Sequence, residues 1–162
     1  MAGHNRLQAI HVDRDEGVQT ADEAEQCLAI AALLDENHFE LIGRESGPYH
    51  LSLSTKGARL TLDVRTTGDT PIVRHVLSFT PFRRVIQDYL AVCNALAQAA
   101  GQCDPYRIEA IDMARRAIHN EGSELLRERF SGKIVVDAGT ARRLFTLIAA
   151  PHLQALSGGL AR

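Results

Sequence analysis

The hydrophobic pattern of this 162-residue chain changes its period, and these changes limit the folds that it can adopt. From Phe39 to Phe79 apolar residues recur at every second position, which is typical of strands with one buried face. From Thr80 to Ala150 they recur at steps of three and four, which is typical of amphipathic helices. The sequence therefore predicts a sheet followed by a helical region.

Three stretches of the period-two region alternate clearly: Tyr49 to Ser54, Arg59 to Arg65 and Ile72 to Phe79. Turn signals separate them at Lys56-Gly57 and at Thr67-Gly68-Asp69. The region is therefore predicted to form an antiparallel β-meander with one apolar face. Shorter strands are predicted at Arg6–Asp13, Phe39–Gly43 and Lys133–Val136.

A first helix is predicted between the first strand and the meander. Thr20 and Glu23 have the spacing of a capping box, and the helix is expected to end near Asn37. Its apolar stripe, which we expect to pack on the core, consists of Ala24, Cys27, Leu28, Ala31 and Leu34.

The second helix has the clearest signals in the chain. Thr80 is expected at the cap and Pro81 at the first helical position, while Gly101 is expected to end the helix. Its apolar stripe consists of Phe82, Val85, Ile86, Tyr89, Cys93, Leu96 and Ala100.

The central stretch, Arg107–Phe130, is predicted to be one long helix or a helix broken near Asn120–Ser123. Asp104-Pro105 should cap it. Ile108, Ile111, Ala114, Ile118 and Leu125 form the stripe expected to face the core. Glu109, Asp112, Arg116, His119 and Ser123 form a polar stripe opposite. That polar stripe is either a solvated face or the wall of a polar pocket where the backbone opens at Gly122.

A fourth helix, capped by Asp137 or Thr140, should run through Ala150 and stop at Pro151. The fold class is therefore α+β: a single domain over residues 1–162, in which one N-terminal helix precedes the meander and a three-helix C-terminal region covers one face. The ordered core is expected at about residues 6–152, with residues 1–5 and 157–162 frayed.

Basic charge is unevenly distributed along the chain. Residues 1–70 hold 6 basic and 12 acidic side chains, and residues 71–162 hold 12 and 8. Arginine pairs follow Thr80 and Thr140 within the first turn or so, and a third pair lies on the central helix. Either acidic neighbours offset this charge, or the pairs hold an anion. The candidate ligand contacts are Arg83, Arg84, Arg115, Arg116, His119, Asn120, Arg142 and Arg143.

Signals for catalysis are weak. His119 with Glu121, or His75 on an apolar strand face, could act as acid and base, but His119 and Glu121 meet only if the central helix breaks. No histidine spacing suits a metal, and the three cysteines lack a CxxC pattern, so no metal and no cofactor are predicted. The cysteines are expected to be buried or inert.

Targeting signals are not recognisable in the sequence. The N-terminus has no apolar signal core, and no run of about 18 apolar residues occurs, so no membrane contact is expected and the predicted location is the cytoplasm. Nucleic-acid binding is disfavoured because the isoelectric point is about 6.4 and only 5% of residues are aromatic.

Three segments carry a resemblance to a known family: HVLSFTPFRRVIQDY (His75 to Tyr89), IEAIDMARRAIHNEGSELLRERFSGKIVVD (Ile108 to Asp137) and TARRLFTLI (Thr140 to Ile148). Over residues 6–150 the chain resembles a UPF-type family of uncharacterised bacterial proteins found chiefly among alphaproteobacteria. The family usually reads MGRRGLHNEG for MARRAIHNEG and often VDFDTARRLFTL for VDAGTARRLFTL. The resemblance implies a soluble bacterial domain and supplies no activity, ligand or catalytic residue.

Three classes of function follow from these observations. The first choice is a non-catalytic binding module in which the paired arginines hold an anionic small molecule or an acidic segment of a partner protein. The second is a homo-oligomer that associates through the second helix or the sheet, which predicts an exposed apolar patch. The third is an enzyme that uses His119 and Glu121.

Overall fold

The computed structural model of the protein describes residues 4–13, 23–102 and 104–160, with side chains described for all of these except 23–25 and 150–160. The elements are β1 (Leu7–Val12), α1 (Glu23–Asp35), β2 (Phe39–Leu41), β3 (Tyr49–Lys56), β4 (Arg59–Thr66), β5 (Pro71–Ser78), α2 (Thr80–Gln102), α3 (Pro105–Phe130), β6 (Ile134–Val136) and α4 (Ala138–Leu160). This is a single α+β domain, as predicted from the sequence.

The main sheet has the strand order β1-β3-β4-β5. Strands β3, β4 and β5 are antiparallel neighbours, so the predicted meander is confirmed. Strand β1, however, lies parallel to β3, with Ile10 opposite Leu51. The main sheet therefore contains both parallel and antiparallel pairs of strands, with β1 at the edge next to β3.

Strand β2 does not belong to this sheet, although the sequence placed it at the start of the meander. It pairs antiparallel with β6 in a separate two-stranded sheet, where Phe39 lies opposite Val136 and Leu41 opposite Ile134. All four of these side chains are buried. The Phe39 ring also contacts the Tyr49 ring of β3, with 5.8 Å between centroids, so this small sheet packs on the meander without pairing with it.

One hydrophobic core joins the inner face of the main sheet to the helices. Leu51, Leu62 and Leu77 from the sheet belong to the same buried cluster as Phe82 of α2 and Phe145 of α4. The predicted stripe of α2 is largely confirmed, since Phe82 and Ile86 are fully buried. Near the C-terminal end of α2, Ala99 is buried, whereas the predicted Ala100 is exposed.

Helix α1 packs through a different face from the predicted stripe. Cys27 is exposed and the Leu28 side chain is 71% exposed, whereas Gln26 and Leu33 are buried. Alanines lie on several sides of this helix, so the apolar period does not single out one face. Thr20 of the predicted capping box lies outside the described residues.

Helix α3 is continuous from Pro105 to Phe130, so the predicted alternative of a break at Asn120–Ser123 is wrong. Asp104 caps it as predicted, with its carboxylate accepting from the backbone N–H groups of Tyr106 and Arg107. The core-facing stripe is only partly as predicted, because Ala114 is exposed while Gly122 and Ser123 are buried.

Helix α4 begins as one of the two predicted alternatives but ends later than predicted. Asp137 is the cap, because its Oδ1 accepts from the Thr140 backbone N–H at 2.7 Å. The Thr140 hydroxyl is buried and accepts instead from the backbone N–H of His38. The helix also continues through Pro151 to Leu160, past the predicted end at Ala150. A proline removes one backbone hydrogen bond, and here that loss does not end the helix.

None of the helices in the described ranges is both long enough and apolar enough to cross a membrane.

Candidate functional site

Three helices meet at His119 of α3. Its imidazole lies 5.7 Å from the ring of Tyr89 on α2 and 5.3 Å from the ring of Phe145 on α4, measured between ring centroids. The Phe145 ring stands nearly perpendicular to the imidazole, at 89°. His119 is therefore half-buried and held by aromatic contacts on two sides.

The hydrogen bonds of Thr146 define the tautomer of His119. The Thr146 hydroxyl donates its single hydrogen to the carbonyl oxygen of Arg142 at 3.0 Å. It can therefore only accept from His119 Nε2, which lies 2.9 Å away. In the neutral imidazole this leaves Nδ1 without a proton.

A second group of polar side chains adjoins His119 along α3. Asp112 accepts through Oδ1 from Arg115 (2.9 Å from Nη2) and through Oδ2 from Arg116 (3.0 Å from Nε). The Tyr89 hydroxyl also interacts with the Arg115 guanidinium. One carboxylate thus serves two guanidinium groups, so this part of the surface keeps a net positive charge. We refer to Tyr89, Asp112, Arg115, Arg116, His119, Arg142 and Thr146 as the helical cluster.

The electrostatics of the helical cluster favour a neutral His119. Burial lowers the pKa of this imidazole below its ordinary 6.5, and the positive charges of Arg115 and Arg142 lower it further. Burial also raises the pKa of Tyr89. Hydrogen bonds from Arg116 and Arg115 lower the pKa of Asp112, so its carboxylate is ionised.

Gly122 sets the distance between α3 and α4 at this site. A Cβ atom at this position would lie 2.3 Å from Cζ of Phe145, much closer than packed atoms approach. One of the two alternatives predicted from the sequence was a helix that opens at Gly122. The structure shows instead that its missing side chain lets the Phe145 ring pack on an unbroken α3.

The unbroken helix separates His119 from the other proposed catalytic group. Residues two apart on a helix point in different directions, and both Asn120 and Glu121 are exposed. The acid–base pair of His119 and Glu121 therefore does not form. Asn120 likewise lies outside the contacts of the helical cluster.

The structure does not bring the six predicted arginines together. Arg83 donates to the carbonyl oxygen of Gly57, which follows the last residue of β3. Arg143 donates to the carbonyl oxygen of Glu36. The next residue, Asn37, accepts a hydrogen bond from the Leu7 backbone N–H, and Leu7 lies opposite the first residue of β3. The two anchor points are thus separated by about the length of an eight-residue strand, roughly 23 Å.

Arg143 acts as a structural anchor of α1, and Arg84 is exposed on α2. Of the predicted contacts, Arg115, Arg116, His119 and Arg142 remain grouped.

His75 lies on the inner face of β5, opposite Leu62. Burial lowers its pKa, as do the positive charges of Lys133 and Arg44. This placement agrees with the predicted apolar strand face. Among the described residues, His75 lies near Leu62 and near two basic groups, so it is a core-facing histidine rather than one half of an acid–base pair.

A polar hollow that was not predicted lies on the outer face of the main sheet. It has a volume of about 430 Å³, and its lining includes His11, His50 and Asp63. Arg65 and Arg74 contact the Asp63 carboxylate at 3.4 and 3.7 Å. The sequence signal was the alternation itself, which places every second residue of β3 and β4 on this face. Within the described ranges, no group of three or more His, Cys, Asp or Glu side chains could hold a metal ion.

The fold and the helical cluster together define a single-domain α+β protein with a positively charged polar site between three helices. The model of an uncharacterised protein family, UPF0262, matches residues 4–154. The chain belongs to this family.

The relatives cover nearly the whole chain. A UPF0262 protein of Hyphomonas neptunium is 50% identical over 152 residues, which are 93% of this chain and 94% of the relative. One of Rhizobium meliloti is 49% identical and covers 88% of this chain and 91% of its own length. One of Agrobacterium fabrum is 47% identical over 91% of this chain and 94% of its own length. No solved structure matches the chain.

Proposed function

We propose that this protein is a non-catalytic binding module, and that the helical cluster takes up a small anion that carries a carboxylate or phosphate group. The observation that carries the proposal is the meeting of Arg115, His119 and Arg142 from two helices at one partly exposed place. Guanidinium groups match both kinds of anion through paired N–H donors.

The charge state of His119 gives the proposed site a distinctive property. The imidazole is neutral in the free protein because burial and two guanidinium groups oppose its protonation. An anion bound beside it would offset that positive charge, so the pKa of His119 would rise. Binding near neutral pH would therefore be accompanied by proton uptake.

The test is isothermal titration calorimetry with inorganic phosphate, sulfate and succinate. We expect binding by the wild-type protein and about tenfold weaker binding by Arg142→Gln, because one charge-assisted hydrogen bond is lost. The matched control is Arg129→Gln. Arg129 is an exposed residue of α3, ten positions or about 15 Å along the helix from His119.

The control variant should bind like the wild type. Absence of heat with all three anions, or equal loss in both variants, contradicts the proposal.

Self-association is a second candidate function. It is supported by a groove that is lined in part by exposed apolar side chains and is not the surface predicted from the sequence. The apolar stripe of α2 is used within the chain itself. Ile42 and Val135 are 47% and 42% exposed, and both line a groove of about 580 Å³ between β6 and the end of α3. Light scattering over a range of concentrations tests this candidate: a dimer that Val135→Asp dissociates supports it, and a monomer at all concentrations rejects it.

A further inference from the structure

Three basic side chains gather at one end of the main sheet, and a fourth basic residue follows in the first turns of α2. Lys56 and Arg59 are paired directly across the β3–β4 hairpin. Arg83 of α2 donates to the carbonyl oxygen of Gly57 in the hairpin turn at 2.9 Å, and Arg84 is its neighbour on the helix. We call Lys56, Arg59, Arg83 and Arg84 the basic end.

Ion pairs among the described residues do not account for this concentration of charge. All four side chains are exposed, and none has a carboxylate partner among the residues that the structure describes. Like charges directly opposite each other on antiparallel strands repel, so the Lys56–Arg59 pair opposes formation of the hairpin. The first turn of α2 also has no acidic residue that could offset Arg83. The charge is therefore available to an external partner.

We propose that the basic end docks an acidic segment of a partner protein, a run of Asp and Glu side chains in extended conformation. Three of the four cations are arginines, which pair with carboxylates through two parallel N–H donors. The hollows described above, at the outer face of the sheet and between β6 and α3, have other linings. Cations that are spread over two strands and a helix suit an extended chain better than a small molecule.

Other polyanions fit the basic end less well. The two aromatic rings at this end, Phe79 and Phe82, are buried and offer no platform for stacking bases. The whole chain carries a net charge of −2, which repels a large polyanion at long range. A short acidic segment contacts the basic end alone and avoids most of this repulsion.

Variants that alter only one of the two groups distinguish the basic end from the helical cluster. The probe is a fluorescent octaglutamate peptide, with octaglutamine as its uncharged counterpart, followed by anisotropy at low salt. We expect octaglutamate to bind the wild type, and Lys56→Gln/Arg59→Gln to bind it about fivefold or more weakly. Arg142→Gln in the helical cluster should bind like the wild type.

The matched control is Arg107→Gln/Arg129→Gln, which removes the same charge from exposed positions of α3. It should lose little affinity. The melting temperature of Lys56→Gln/Arg59→Gln should be unchanged or higher, because a repulsion is removed, and this separates lost binding from unfolding.

Four results overturn the proposal: no binding of octaglutamate, equal loss in the two double variants, tighter binding of duplex DNA or anionic phospholipid vesicles through the same residues, and a homodimer that Lys56→Gln/Arg59→Gln abolishes. The last two would assign the basic end to another partner.

Discussion

The helical cluster and the basic end are both rich in basic groups, but they are held in opposite ways. In the helical cluster Asp112 pairs with Arg115 and Arg116, and His119 is half-buried between two aromatic rings. At the basic end the side chains are exposed and no described carboxylate pairs with them.

This difference separates two roles of positive charge. In the helical cluster the fold itself positions and partly neutralises the charges, so substitutions there should change stability as well as binding. At the basic end Lys56 and Arg59 have no carboxylate partner among the described residues, so substitutions of these two should change binding with little effect on stability. Each of the following predictions tests one side of this comparison.

The largest effect is expected for Gly122→Ala, beneath the helical cluster. The new Cβ would overlap the Phe145 ring, so we expect a loss of about 1–3 kcal/mol in the free energy of unfolding, measured by urea denaturation. The control is Gly101→Ala. Gly101 is also helical and has open space around its Cβ position, so this variant should gain up to about 1 kcal/mol. Equal responses would mean that Gly122 is not a packing position.

Asp112→Asn should sharpen the comparison by making the helical cluster resemble the basic end. It removes the carboxylate that Arg115 and Arg116 share, so sulfate should bind roughly two- to fivefold more tightly in calorimetry. Asp63→Asn on the outer face of the sheet also removes a carboxylate that contacts two arginines, but at another place, and should leave the affinity unchanged. An unaltered affinity in Asp112→Asn would separate Asp112 from the site.

The pH dependence of stability should reveal His119. Its folded-state pKa is lowered, so on acidification through 6.5 the unfolded chain takes up a proton before the folded chain does. Stability is therefore expected to fall as the pH drops below about 6.5. In His119→Gln this fall should be smaller in urea denaturation at pH 5 to 7. A residual fall of the same sign should remain, because the pKa of His75 is also lowered. Identical profiles would show that His119 does not titrate as described.

The smallest effect is expected at the basic end. Lys56→Gln removes one member of a like-charge pair on facing strands, and the free energy of unfolding should stay the same or rise by a few tenths of a kcal/mol. Thermal denaturation at low and high salt measures this, since salt should abolish the gain by screening. Destabilisation instead would show that Lys56 has a structural partner.

The elements with strong local signals could be predicted from the sequence. Strands β3 to β5 and helix α2 follow from clear periods and turn or cap residues, such as Gly57 and Pro81. The parallel pairing of β1 with β3 could not be predicted, because a strand does not encode its neighbour in its own period. The buried face of α1 was mispredicted: Leu28 is exposed and Gln26 is buried. The alanines on several sides of this helix leave its apolar period without a single direction.

The candidate site could be predicted only in part. Neighbouring arginines on a helix point about 100° apart, so Arg142 stays near His119 while Arg143 anchors α1. The role of Gly122 depends on Phe145, which lies on another helix. The basic end was missed because Lys56 and Arg83 are far apart in sequence and meet only through the hairpin turn.

The most direct test of anion binding at the helical cluster is an NMR titration of the His119 side chain between pH 5 and 8, with and without saturating sulfate. Sulfate keeps its charge over this range, so only the protein titrates. A bound anion should raise the pKa of His119, and Arg142→Gln should need about tenfold more sulfate for a comparable rise. A pKa that sulfate leaves unchanged in the wild-type protein would contradict anion binding at the helical cluster.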